Sequence, residues 1–184
     1  MTTVFLVGDN DNTDTGLESL VKTNLTSTYC VTYIKGSSVS RLGKGYDILV
    51  IDTPHLGVIE LDECIVVMKA YGEVPSASVS LPEKSIIIAN SENTAQLNAL
   101  EAIDKRVIAC GGGKRDTMSY TSLTSDGIVI SLGREITAFS GKQIQPLEVP
   151  VKFTAVPDNV YDIIAYTALR LVLDDYDSEI GLLY

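Results

Sequence analysis

The residues best placed to do chemistry form one loop near the N-terminus, Gly8-Asp9-Asn10-Asp11-Asn12-Thr13-Asp14-Thr15. A glycine lets backbone approach a ligand closely, and a polar loop that opens a helix can hold phosphate on free N–H groups. A working phosphate loop adds a lysine against the phosphate charge and a hydroxyl that helps hold Mg²⁺. This loop has the hydroxyls Thr13 and Thr15, but Asp9, Asp11 and Asp14 stand in it and no lysine does. A lysine about 4 Å from a phosphate oxygen contributes on the order of 4 kcal/mol at an effective dielectric near 20, and a carboxylate at about 8 Å opposes with roughly 2 kcal/mol. ATP is therefore expected to bind weakly or not at all. A calcium loop fails in either register: begun at Asp9 its glycine position is Asp14, and begun at Asp11 its closing glutamate is Lys22.

Three other constellations could carry chemistry. Asp52 ends an apolar run, and His55, the one histidine, follows closely enough to form a base and orienting partner with it or simply to sit in the Thr53-Pro54 turn. Gly111-Gly112-Gly113-Lys114-Arg115-Asp116 reads as an anion cradle or, more commonly, a loop with solvated charges. Cys30, Cys64 and Cys110 have no C-x-x-C spacing and read as structural thiols.

The elements that must position these residues alternate along the chain. Thr3 to Val7 is a short β-branched and apolar run, followed after the polar loop by the helical spacing of Leu17, Leu20, Val21 and Leu25. Tyr29 to Ile34, Tyr46 to Ile51, Cys64 to Met68, Ser85 to Ala89 and Val107 to Cys110 read as strands, with a helix over Thr94 to Ile103. Their continuous apolar character predicts a doubly wound, mostly parallel α/β sheet covered on both faces. From Thr117 the runs shorten and alternate around Gly127, Gly133 and Gly141, which predicts a small antiparallel sheet in the C-terminal third. Val160, Ile163, Ile164, Thr167, Ala168, Leu171 and Val172 mark the strongest helix, with Pro157 and Asp158 suited to its first turn. With no linker or repeat in view, residues 1–184 read as one domain.

Taken in order, these segments resemble the central, ATP-binding domain of Mur-type peptide ligases, a P-loop NTPase-like fold, including the folylpolyglutamate synthase branch. Against that family's G-T-N-G-K-T-T-T loop, Gly8, Asn10, Thr13 and Thr15 agree, while Asp11 and Asn12 replace the second glycine and the lysine. Tyr46 to Asp52 resembles the strand that ends in a metal-binding acid, and Ile88-Ala89-Asn90-Ser91-Glu92-Asn93 is similar to V-x-N-x-D-D. Pro157-Asp158-Asn159-Val160-Tyr161-Asp162 looks like G-x-H-N-V-x-N, with Asn159 retained and Asp158 and Asp162 in place of histidine and asparagine. The family's T-N-I/V-x-x-D-H segment has no counterpart. The resemblance implies a vestigial nucleotide pocket of Gly8, Asn10, Asn12, Thr13, Thr15 and Asn159, with Asp52 in the metal position.

A net charge of −10 and a pI near 4.5 argue against nucleic acid and anionic membranes as partners. No apolar run reaches membrane-spanning length, and the N-terminus has no basic segment with a cleavage site, so the chain is expected in the cytoplasm. The resulting expectation is a non-catalytic Mur ligase-like domain in bacterial cell-wall or polyglutamate metabolism. It would act on another protein, a full-length ligase or a second copy, with no cofactor beyond weak ATP or Mg²⁺. Two alternatives stand beside it: a small-molecule or nucleotide-binding domain, and an enzyme with residual ATP-dependent ligase activity.

Overall fold

The computed structural model describes residues 1–8, 15–72, 80–101, 103–153, 158–176 and 180–182. Asp9, Asn10, Asp11, Asn12, Thr13, Asp14 and Pro157 lie outside the described residues.

The first strand, β1 (Thr2–Val7), is buried on both faces, and its β-branched and aromatic side chains suit a strand sandwiched between layers. It is followed by α1 (Gly16–Asn24), β2 (Tyr29–Lys35), β3 (Ser38–Leu42) and β4 (Tyr46–Thr53). β4 pairs parallel with β1 on one side and with β2 on the other. β5 (Glu63–Met68) takes the other side of β1, and β6 (Lys84–Asn90), α2 (Thr94–Leu100) and β7 (Arg106–Cys110) continue outward. The chain therefore starts in the middle of the sheet and winds away in both directions.

The alternating C-terminal runs join this same sheet. β8 (Met118–Leu123) lies beside β7, β9 (Gly127–Leu132) and β12 (Leu147–Phe153) add antiparallel, and β13 (Ile180–Leu182) closes the far end parallel to β12. Among the described residues one sheet of 11 strands results, and a separate antiparallel sheet is the short pair β10 (Ile136–Thr137) and β11 (Gln143–Ile144). α3 (Val160–Val172) is buried almost all round, as a helix apolar on every side must be. It packs beside α1 and over β6, β7 and β8, so α1 and α3 cover one face while α2, Leu56 and Ile59 cover the middle of the other.

β3 was not foreseen. Gly36, at φ 57, and Ser37 make a two-residue turn that returns β2 as an antiparallel hairpin, and the partner residues are Lys35 and Ser38. The helix expected over Thr94 to Ile103 stops at Leu100. α3 begins later than expected, because Asn159 is its cap and Asp158 precedes that cap.

Candidate functional site

In open α/β sheets, ligands bind beyond the carboxyl ends of the strands, where neighbouring connections leave in opposite directions. Here that place is the end of β1, between β4 and β5. Gly8 leaves β1 at φ 152, and a Cβ on it would lie 2.7 Å from the Cβ of Lys69 and 2.8 Å from the Cα of Gly72. The backbone of β1 thus touches the turn after β5, an approach that only glycine permits. Gln96 of α2 fixes that turn by donating to the carbonyls of Lys69 (2.8 Å) and Gly72 (3.1 Å), and Asn90 donates to that of Ala70 (3.2 Å). The segment singled out as Ile88 to Asn93 therefore clamps the site from one side.

Lys69 is the residue that the sequence did not reveal. It is fully buried, and its ammonium lies 2.7 Å from Oδ1 of Asp52. The other oxygen, Oδ2, accepts from the Tyr33 hydroxyl at 2.6 Å and lies 3.9 Å from Nζ of Lys35. Lys35 is shared with Glu18 of α1 at 2.5 Å, and Lys22 meets the same carboxylate at 2.6 Å. Asp52 is thus surrounded by cations and a donor of its own chain, and a metal ion there would have to displace them. No group of three or more metal-ligating side chains occurs among the described residues. Burial, and then donation to Asp52, push the Tyr33 hydroxyl well above the usual tyrosine range. Burial also raises the Glu18 carboxyl, but the hydrogen bonds and charges of Lys22 and Lys35 together outweigh it, so Glu18 lies below its ordinary range.

A second cluster forms where α1 begins. Thr15 is the N-cap, without a side-chain cap bond, and a Cβ on the following Gly16 would lie 2.1 Å from Oδ2 of Asp162. The buried Asp162 carboxylate therefore rests against the first residue of α1, at the positive end of the helix dipole. Asn159 caps α3 by accepting from the N–H of Tyr161 at 2.9 Å, and the Tyr161 hydroxyl donates to the carbonyl of Met68 at 2.5 Å. The structure so brings Thr15, Asn159 and Asp162 to one helix junction, and Gly8 and Asp52 together through Lys69. The expected locations of Asn10, Asn12 and Thr13 fall outside the described residues.

The other candidates separate from this place. His55 is exposed in its turn, where its carbonyl accepts from Thr53, while Asp52 is buried under α1. The glycine loop has backbone donors, but Gly112 N–H meets Glu92 (3.2 Å) and Gly113 N–H meets Asp116 (2.7 Å), so carboxylates of the chain occupy the cradle. A cleft of about 1030 Å³ opens at the opposite end of the strands, among Met1, Tyr29, Tyr46 and Glu63, far from the switch point.

Superposed over 95% of its length, the chain follows MurF ligase from Thermotoga maritima in complex with ADP, with a TM-score of 0.51 at 14% identity. The fold is Mur ligase-like. Murein peptide ligase Mpl from Psychrobacter arcticus 273-4 (TM-score 0.51, 9% identity, 93% of this chain) and MurF from Acinetobacter baumannii (0.50, 13%, 94%) agree. The chain spans less than half of each, 46%, 44% and 43% of their lengths. No family model and no curated protein matches the sequence. The end of β1 and the start of α1 are bordered by Lys69, Asp52 and Asp162. No described helix is long and apolar enough to cross a membrane.

Proposed function

We propose that residues 1–184 act as one non-catalytic Mur ligase-like domain, a cytoplasmic module that binds another protein in cell-wall or polyglutamate metabolism. The observation that carries this reading is the Asp162 carboxylate seated against Gly16. A phosphate arriving at the head of α1 would meet the buried Asp162 carboxyl group already filling the space against Gly16, and the three aspartates of residues 9–14 add negative charge to the same stretch of sequence. The engagement of Asp52 by Lys69 and Tyr33 supports the same reading, because it removes an acid from the group available to hold Mg²⁺. Isothermal calorimetry of the purified chain with ATP and Mg²⁺ is expected to show no binding in the millimolar range. Phosphate release should match that of an Asp52→Ala variant, at background. An ATP affinity of millimolar or tighter, competed by ADP, overturns the reading.

Lys69 favours one alternative. A buried cation beside Gly8 gives a small anionic ligand a partner at the end of β1, even without a loop lysine. Thermal-shift measurements with nucleotides, UDP-sugars and amino acids, with and without Mg²⁺, distinguish this binding role. A stabilising ligand whose effect disappears in the paired variant Asp52→Asn with Lys69→Met, which leaves no uncompensated ion in the interior, would favour it over the protein-binding role.

A further inference from the structure

Among the described residues the long sheet ends at β3, whose inner side pairs with β2 and whose outer side has no described strand beside it. Alternate residues of such an edge direct N–H and C=O groups outward, a template for another extended chain. Native edges are commonly guarded by a cover, a bulge or charge projecting along the edge. β3 is poorly guarded. Ser38 and Ser40 are small, Val39 is 66% exposed and Leu42 48%. Arg41, the only charge in the strand, reaches back across the sheet to Asp47 at 2.7 Å and the Cys30 sulfur at 3.1 Å.

The charge around this edge is opposite to that of the molecule. From Tyr29 to Tyr46 the sequence holds Lys35, Arg41 and Lys44 and no carboxylate, in a chain of net charge −10. Glu18 and Asp47 reach the hairpin from its neighbours, but Lys22 accompanies Glu18, so cations remain in excess. A second copy docking edge to edge would set Arg41 and Lys44 against their own counterparts. An acidic chain would instead be repelled by most of the surface and drawn to this hairpin.

We propose that β3 receives an acidic, extended segment of a partner protein as an added strand. Main-chain hydrogen bonds supply affinity, Val39 and Leu42 supply apolar contact, and Lys44 beside the strand selects the charge. This rests on the protein-binding reading above and assigns it a surface and a partner chemistry.

The test uses the whole chain and a labelled peptide of alternating glutamate and valine, with an alternating lysine and valine peptide as control. Fluorescence anisotropy should show binding of the acidic peptide alone, weakened roughly tenfold by Lys44→Glu and by raised salt. Amide exchange should slow at residues 38–42 when the acidic peptide is present. Val39→Pro, which removes an outward-facing edge donor, should abolish binding, and Lys44→Glu serves where the proline variant fails to fold. Equal binding of both peptides, unchanged exchange at 38–42, or sedimentation showing that copies pair through this edge would each overturn the proposal. If the peptide fails while ATP also fails to bind, only the edge assignment falls; if ATP binds, the non-catalytic reading falls independently.

Discussion

The pair Asp52 and Lys69 illustrates how a buried charge becomes indispensable without contributing much net stability. Each is fully desolvated, so either alone is an uncompensated ion in the interior. Asp52→Asn is expected to cost about 3–5 kcal/mol in chemical denaturation, and Asp52→Asn with Lys69→Met should recover much of that loss. Glu18 gives a pH signature. Its folded-state pKa lies below that of an ordinary glutamate, so its contribution is present above the unfolded value and disappears as pH falls through the folded one. Glu18→Gln should flatten the acid limb of stability measured against pH, and an unchanged limb would contradict the role of Lys22 and Lys35. At this scale the sequence was readable in part. Asp52 at a strand end was visible, but its partner lies in the turn just past Met68 of β5, and only the parallel order β4, β1, β5 brings the two together. Asp162 was noted as a departure from a motif, whereas its contact with Gly16 depends on two helices far apart in sequence.

Helices and strands were legible where burial imposed a pattern. β1, β2, β4, β5, β6 and β7 have apolar runs because helices or loops cover them, and α3 shows its spacing throughout. β3 escaped notice because all but one of its residues are exposed, so no alternation marks it, although the Gly36-Ser37 turn was a usable signal. The C-terminal runs were recognised as antiparallel, but sequence alternation gives no sign of which sheet they join. Helix ends followed cap chemistry more closely than hydrophobic spacing. Asn159 satisfies an N–H of the first turn of α3, and Asn159→Ala should lower stability by about 1 kcal/mol in denaturant titration. The acidic run after α3, unfavourable to the helix dipole, is compensated by Lys142 on Asp174 and Arg170 on Asp175.

Across the whole molecule, a Mur ligase-like fold carries carboxyl groups that rest against Gly16 and accept from the N–H groups of Gly112 and Gly113. Fold and activity are separable in this way because the core depends on apolar pattern and the chemistry on a few side chains. One arrangement also governs how the chain reaches this state. α3 is made late, yet it lies against α1 and over β6, β7 and β8, so the earlier strands leave synthesis with much of one face bare. Such distant closure slows folding and exposes sticky intermediates. A chain stopped at Phe153 should show no cooperative melting transition and should bind a hydrophobic dye, and full-length refolding should acquire most of its amide protection in a single late phase.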